Sequence, residues 1–161
     1  MTTLSLGSCL RSKGVLQDSV FRTRDTHYKI GDLPTSWKRM SLRYADLAFA
    51  NKADGSTLLV NSSCDKTEDT PAIALTWHLL IGMTEQNIIS QKPFAVSGRE
   101  GLETTAEAKI DGVKRKFRML VLKKNSCVYD IVLSTSPKKF EENLPVYEAA
   151  VKGFDVPGET L

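Results

Sequence analysis

The alternation of apolar and polar positions is clearest towards the end of the chain. Residues 127–135 (CVYDIVLST) read as a strand, and residues 136–154 then place Phe140, Leu144, Tyr147, Val151 and Phe154 on one helical stripe. The period changes there from two to about 3.6, so a strand feeds an amphipathic closing helix. Ser136 and Pro137 suit a first turn, whereas Pro145 has no N–H to donate and its ring crowds the turn before it. The pattern predicts a short turn over residues 137–142, a helix restarting near Pro145, and an end at Gly153.

Upstream, turn signals divide the chain into hairpins. Residues 102–110 and 113–123 flank Asp111-Gly112, and residues 124–126 return the chain into the strand at 127, which makes three antiparallel strands in a row. Phe117, Met119 and Val121 share one face of the middle strand, and Lys116, Arg118, Leu120 and Leu122 share the other. That strand is polar near its hairpin and apolar further along, as expected of a sheet covered on both sides at one end. Residues 46–51 and 57–61 flank a second turn ending in Asp54-Gly55. Residues 87–96 are strand-like, with Pro93 assigning them to an edge or bulged position and Ser97-Gly98 ending them. Residues 26–31 and 36–44 are weaker strand segments separated by Pro34. Between the hairpins, Thr70 offers an N-cap and Pro71 a first helical position, and Ile73, Trp77, Leu80, Ile81 and Thr84 follow at helical spacing. Together these elements predict an α+β fold, an antiparallel sheet of about six to seven strands flanked by helices in an α/β/α sandwich.

Composition narrows the setting. The chain has 161 residues, 41% apolar and 25% charged, which suits one domain. A net charge of +3 is well short of a dedicated nucleic-acid binder, and no apolar run is long enough to span a bilayer. Leu6, Gly7, Ser8 and Cys9 match the end of a bacterial lipoprotein signal, in which the cysteine becomes the lipidated first residue. Met1 to Ser5 supply only a fragment of the required apolar stretch, so the motif reads as a truncated signal. The competing reading is an untargeted tail with a free thiol, which would make the protein a cytoplasmic one, a cytosolic regulator of the same fold. Residues 1–25 are accordingly expected to be signal and flexible tether, residues 26–155 one domain, and residues 156–161 a disordered tail. Giving Cys9 to a lipid leaves Cys64 and Cys127 as an even pair at strand ends, where a disulfide is geometrically plausible. Two reduced cysteines packed as small apolar residues are equally compatible with the sequence.

An early Leu33-Pro34 with Trp37, the Ala53-Asp54-Gly55 hairpin, one central helix, a strand after Gly98-Arg99-Glu100-Gly101, the Ile110-Asp111-Gly112-Val113 hairpin and the closing Ser136-Pro137, Phe140 and Val151-Lys152-Gly153-Phe154 occur in an order that resembles the PsbP-like fold. The resemblance covers about residues 26–155 and extends to DcrB-type and other small bacterial envelope lipoproteins. It implies an accessory or binding protein with no common catalytic residue set, no cofactor of its own, an unidentified protein partner and a lipid anchor in the membrane at the periplasmic face of the envelope.

The chemical inventory is compatible with a non-enzyme. The two histidines, His27 and His78, are read as a surface residue and a partly buried structural residue, and neither lies at zinc-like spacing to a cysteine. No phosphate-binding loop occurs, and residues 98–101 read as a turn. One cluster stands out. Lys109, Lys114, Arg115, Lys116, Arg118, Lys123 and Lys124 place seven cations against Asp111 around a single hairpin. Such a surface could meet anionic lipid head groups or an acidic protein, or could be a solvated face whose lysines discourage edge aggregation. Nucleic acid is not expected, since Phe117 alone interleaves the cations. The alternative function is a small-ligand protein or hydrolase-like enzyme with a pocket between sheet and helix, His78 or residues 65–69 at its mouth.

Overall fold

A computed structural model describes residues 14–64 and 69–158; Cys9 with the rest of its motif, residues 65–68 and residues 159–161 lie outside the described part. Strands β1 (Val15–Gln17), β2 (Val20–Arg22) and β3 (His27–Lys29) form a small antiparallel sheet. Strands β4 (Trp37–Met40), β5 (Leu47–Asn51) and β6 (Ser56–Ser63) precede helix α1 (Ala72–Leu79). Strands β7 (Thr84–Val96), β8 (Arg99–Ile110), β9 (Val113–Lys124) and β10 (Cys127–Thr135) follow, then a 3-10 turn (Pro137–Lys139) and helix α2 (Phe140–Lys152). The main sheet is antiparallel with the order β4-β5-β6-β10-β9-β8-β7, so β10 closes it by inserting between the two meanders. This is the expected α+β architecture.

Two-residue turns set the registers of the long hairpins. Asp111 and Gly112 both have positive φ, 49° and 79°, the geometry whose twist matches the strands they join. Asn125 and Ser126 adopt the same region at 52° and 58° without a glycine, so that turn is less visible in the sequence. β8 starts at Arg99, which places residues 99–101 in the strand and leaves Ser97-Gly98 as the turn.

The register puts Phe117 and Met119 on one face with Ala106 and Ala108, where Leu80 behind α1 covers them. The other face carries Leu58, Val60, Leu120, Leu122, Tyr129, Ile131 and Leu133 beneath α2 and the small sheet. Phe21, Tyr28, Tyr129 and Phe154 meet there with centroids 5.4–5.8 Å apart.

Several expectations are corrected. The tether expected up to residue 25 gives way to strand from Val15, because Phe21, 1% exposed, anchors β2 in the main core. Burying such a ring contributes roughly 2–3 kcal/mol. The tail expected from residue 156 also starts too early, since Val156 is buried and its N–H donates to Ser97 Oγ at 2.8 Å. Helix α2 runs through Pro145 without restarting there. Pro145 stands on the exposed side, where water can satisfy the carbonyl of Glu141 that it leaves unpaired. Gly153 does end the helix, but with φ −92°. A Cβ there would lie 2.3 Å from Gly31 Cα, so the backbone's close approach to the small sheet is what requires glycine. Pro71, not Thr70, occupies the N-cap of α1, without a side-chain cap.

Candidate interaction sites

Cys64 and Cys127 lie opposite one another, one step beyond the Ser63–Val128 pair of β6 and β10. They are joined in a disulfide with Cα atoms 4.1 Å apart. The bond ties the end of the first meander to the strand that completes the sheet.

The seven cations of the β8–β9 hairpin do not form one surface. Strand alternation sends Lys114, Lys116, Arg118 and Lys124, with Lys109 across the ladder from Lys114, to the α2 face, and Arg115 and Lys123 to the α1 face. Each is engaged. Lys109 pairs with Glu85 at 2.8 Å and Lys114 with Glu107 at 3.4 Å. Arg115 donates to Ser134 Oγ, Ser134 O and Gly55 O. Lys116 lies 4.5 Å from the centroid of the Phe140 ring, Lys123 donates to Thr70 O, and Lys124 donates to Ser97 O at 2.6 Å. These contacts hold the hairpin to its surroundings. Burial lowers the Arg115 guanidinium below its usual range, with Asp54 opposing the shift.

Helix α1 presents an apolar face to solvent. Thr76 is the residue it buries, its hydroxyl donating to Ala72 O at 2.8 Å, and Leu80 is buried just past its end. Ile73 and Trp77, one helical turn apart on α1, are 49% and 43% exposed, and Ile81, in the turn just past the helix, is 74% exposed. Of the residues that advertise a helix in the sequence, Leu80 is in the core and Ile73, Trp77 and Ile81 lie outside it. His78 is exposed, contrary to the partly buried role expected of it, and His27 is exposed as expected.

A groove of about 460 Å³ runs between α2 and the edge strand β7. Helix α2 covers β10 and β9 and stops short of β7. At the floor, Glu103 is buried and accepts from Arg118 at 2.8 Å and from the Tyr147 hydroxyl at 3.1 Å, with Lys92 3.4 Å away. Burial, and then the charge of Glu103, raise the Tyr147 phenol well above its ordinary range, so it remains a donor. Phe94, Val96, Val151 and Phe154 supply apolar walls, and Lys92, Glu148 and Lys152 stand at the rim. Of these residues only Arg118 was among the sequence candidates. Glu103 shares its strand with Glu100 and Glu107, so the sequence does not single it out as the buried carboxylate. His78 and Asp69 are not among the residues lining this groove, which lie on the opposite face of the sheet from α1, and residues 65–68 lie outside the described part.

Solved structures similar to the chain place this architecture. Cyanobacterial PsbP (CyanoP) from Synechocystis superposes with a TM-score of 0.62 and 16% identity, covering 94% of this chain and 99% of its own. The chain has the PsbP-like fold. LpqN of Mycobacterium tuberculosis, a protein involved in cell envelope biogenesis, superposes at 0.60 with 10% identity over 82% of this chain and 86% of its own. PA94 of Pseudomonas aeruginosa, described as a possible regulator, does so at 0.58 with 13% identity over 88% and 97%. No protein-family model matches the PsbP-like chain, and no curated protein matches it significantly by sequence.

Proposed function

We propose that this PsbP-like protein is a non-catalytic accessory module of a bacterial cell envelope, lipid-anchored at Cys9, that docks a protein partner through the outer face of α1. The observation that carries the reading is the solvent-facing stripe of Ile73, Trp77 and Ile81. Ile73 and Trp77 stand at i and i+4 on α1 and Ile81 extends the patch in the turn behind it; an apolar helix face with an aromatic anchor is how a helix seats in an apolar groove of another protein. A lipid surface fits the stripe less well. Residues 71–84 contain no Lys, Arg, Asp or Glu, whereas helices lying on membranes carry cations on their polar face. The Cys64–Cys127 disulfide supports an oxidising, extracytoplasmic compartment. Likeness in fold to LpqN, which is involved in cell envelope biogenesis, supports the envelope setting.

A photo-crosslinking residue in place of Ile81, in the cells that make the protein, tests the reading. A single protein adduct that disappears on Trp77→Glu, with none from the same probe at Arg24, is the expected result. Adducts with lipid alone, or a protein adduct indifferent to Trp77→Glu, would contradict it.

A further inference from the structure

We propose that the groove between α2 and β7 is a binding site for a small amphipathic monoanion, with its apolar body against Phe94, Val151 and Phe154 and its acid group among Lys92, Lys152 and Arg118. The site is independent of the α1 face, which lies on the other side of the sheet. Its volume of about 460 Å³ is within the range that holds a small organic ligand.

Charge selects the sign of the ligand. Three cations line the groove against two carboxylates, Glu103 and Glu148. Glu103 is buried and already accepts from Arg118 and Tyr147, so it acts on the groove by fixing the guanidinium. Arg118 uses Nη1 for that bond, and its Nε is buried with no acceptor among the described residues, so this arginine has more donors than they satisfy. Lys92 is 62% exposed and only loosely held at 3.4 Å, free to turn towards an incoming anion. A neutral apolar ligand would desolvate these cations without compensation, and a cation would meet an excess of its own sign. Phe94, Val151 and Phe154 reward an apolar body attached to the acid group, which a simple inorganic anion lacks.

An added β-strand is a poor occupant of the same edge. The two-residue turn makes Val96 and Arg99 the closing pair, so the backbones of Ala95 and Pro93 point outward. Pro93 has no N–H to offer there.

Titration of the isotope-labelled, disulfide-intact chain with anilinonaphthalene sulfonate, an amphipathic monoanion, tests the site by amide chemical shift and fluorescence. Saturable binding should shift residues 92–96 and 148–152. The doubly reversed variant Lys92→Glu/Lys152→Glu, whose substitutions are on the rim, should keep the native spectrum and lose about tenfold or more in affinity. Neutral phenylnaphthylamine should bind about tenfold more weakly than the sulfonate. No saturation by about 1 mM, shifts centred on α1, or equal affinity for the variant or the neutral congener would overturn the assignment.

Discussion

Severing the Cys64–Cys127 bond removes a cross-link between positions 63 residues apart, across a segment that includes α1, β7, β8 and β9. In the chain-entropy treatment, closing a loop of that length constrains the unfolded state by about 4 kcal/mol. Domains are stable by roughly 5–15 kcal/mol, so this one bond is a large fraction of the total. With a urea slope of about 2 kcal/mol per molar, the unfolding midpoint should fall by about 2 M on reduction. Buried Trp37 is a suitable fluorescence reporter, because β4 lies at the sheet edge far from the disulfide in strand order. Comparing oxidised and reduced wild type isolates the cross-link. The Cys64→Ala/Cys127→Ala variant also loses packing at buried Cys127 and should be slightly weaker still. A reduced protein within about 1 kcal/mol of the oxidised one would refute the reasoning.

Four further outcomes follow from the surroundings of named residues. Asp130 Oδ2 is buried without a hydrogen-bond partner among the described residues, and burial, opposed by a bond from Asn61 and reinforced by Asp46, pushes its carboxyl up to about 6. The folded state therefore holds this proton more tightly than the unfolded state. Stability should fall by roughly 2–3 kcal/mol as pH rises from about 4 to 6, and Asp130→Asn should flatten that slope and be the more stable protein at neutral pH, as urea midpoints across the range would show. Gly31→Ala would set a Cβ 1.8 Å from Ala149 O and disturb the bond from Gly31 N–H to Ala150 O, costing about 3 kcal/mol, or about 10 °C in Tm by calorimetry. Gly98→Ala, with φ +70° and open space around it, should cost only about 1 kcal/mol. Glu103→Gln strands the Arg118 guanidinium and should destabilise by about 2–4 kcal/mol in urea, with much of that recovered in Glu103→Gln/Arg118→Met.

Where local chemistry decides the outcome, the sequence is legible. The Asp-Gly pairs at 54–55 and 111–112 mark their hairpins, and Phe140, Tyr147, Val151 and Phe154 point into the core as their spacing predicts. Short elements are not legible. β1 and β2 have three residues each, too few for a period to emerge, and only contact with Tyr28 explains why Phe21 is inside. Periodicity also says that a helix has an apolar side without saying what covers it. In α1 Thr76 is the buried residue, Leu80 just past the helix covers Ala106 and Ala108, and the larger Ile73 and Trp77 face out. The basic hairpin shows a related limit: cations adjacent in sequence are sent to opposite sheet faces, and their carboxylate partners Glu85, Glu103 and Glu107 come from neighbouring strands. The groove is assembled from β7, β8, β9 and α2, and no linear motif could display it.

The central claim, an envelope module that works outside the reducing cytoplasm, is tested most directly by the intact mass of the protein taken from the cells that make it, fractionated without reductant and trapped with an alkylating agent. A membrane-fraction species that begins at an acylated Cys9, with Cys64 and Cys127 unalkylated, is the predicted result. A soluble species that retains Met1 to Ser8 and takes up label at Cys64 and Cys127 would contradict it.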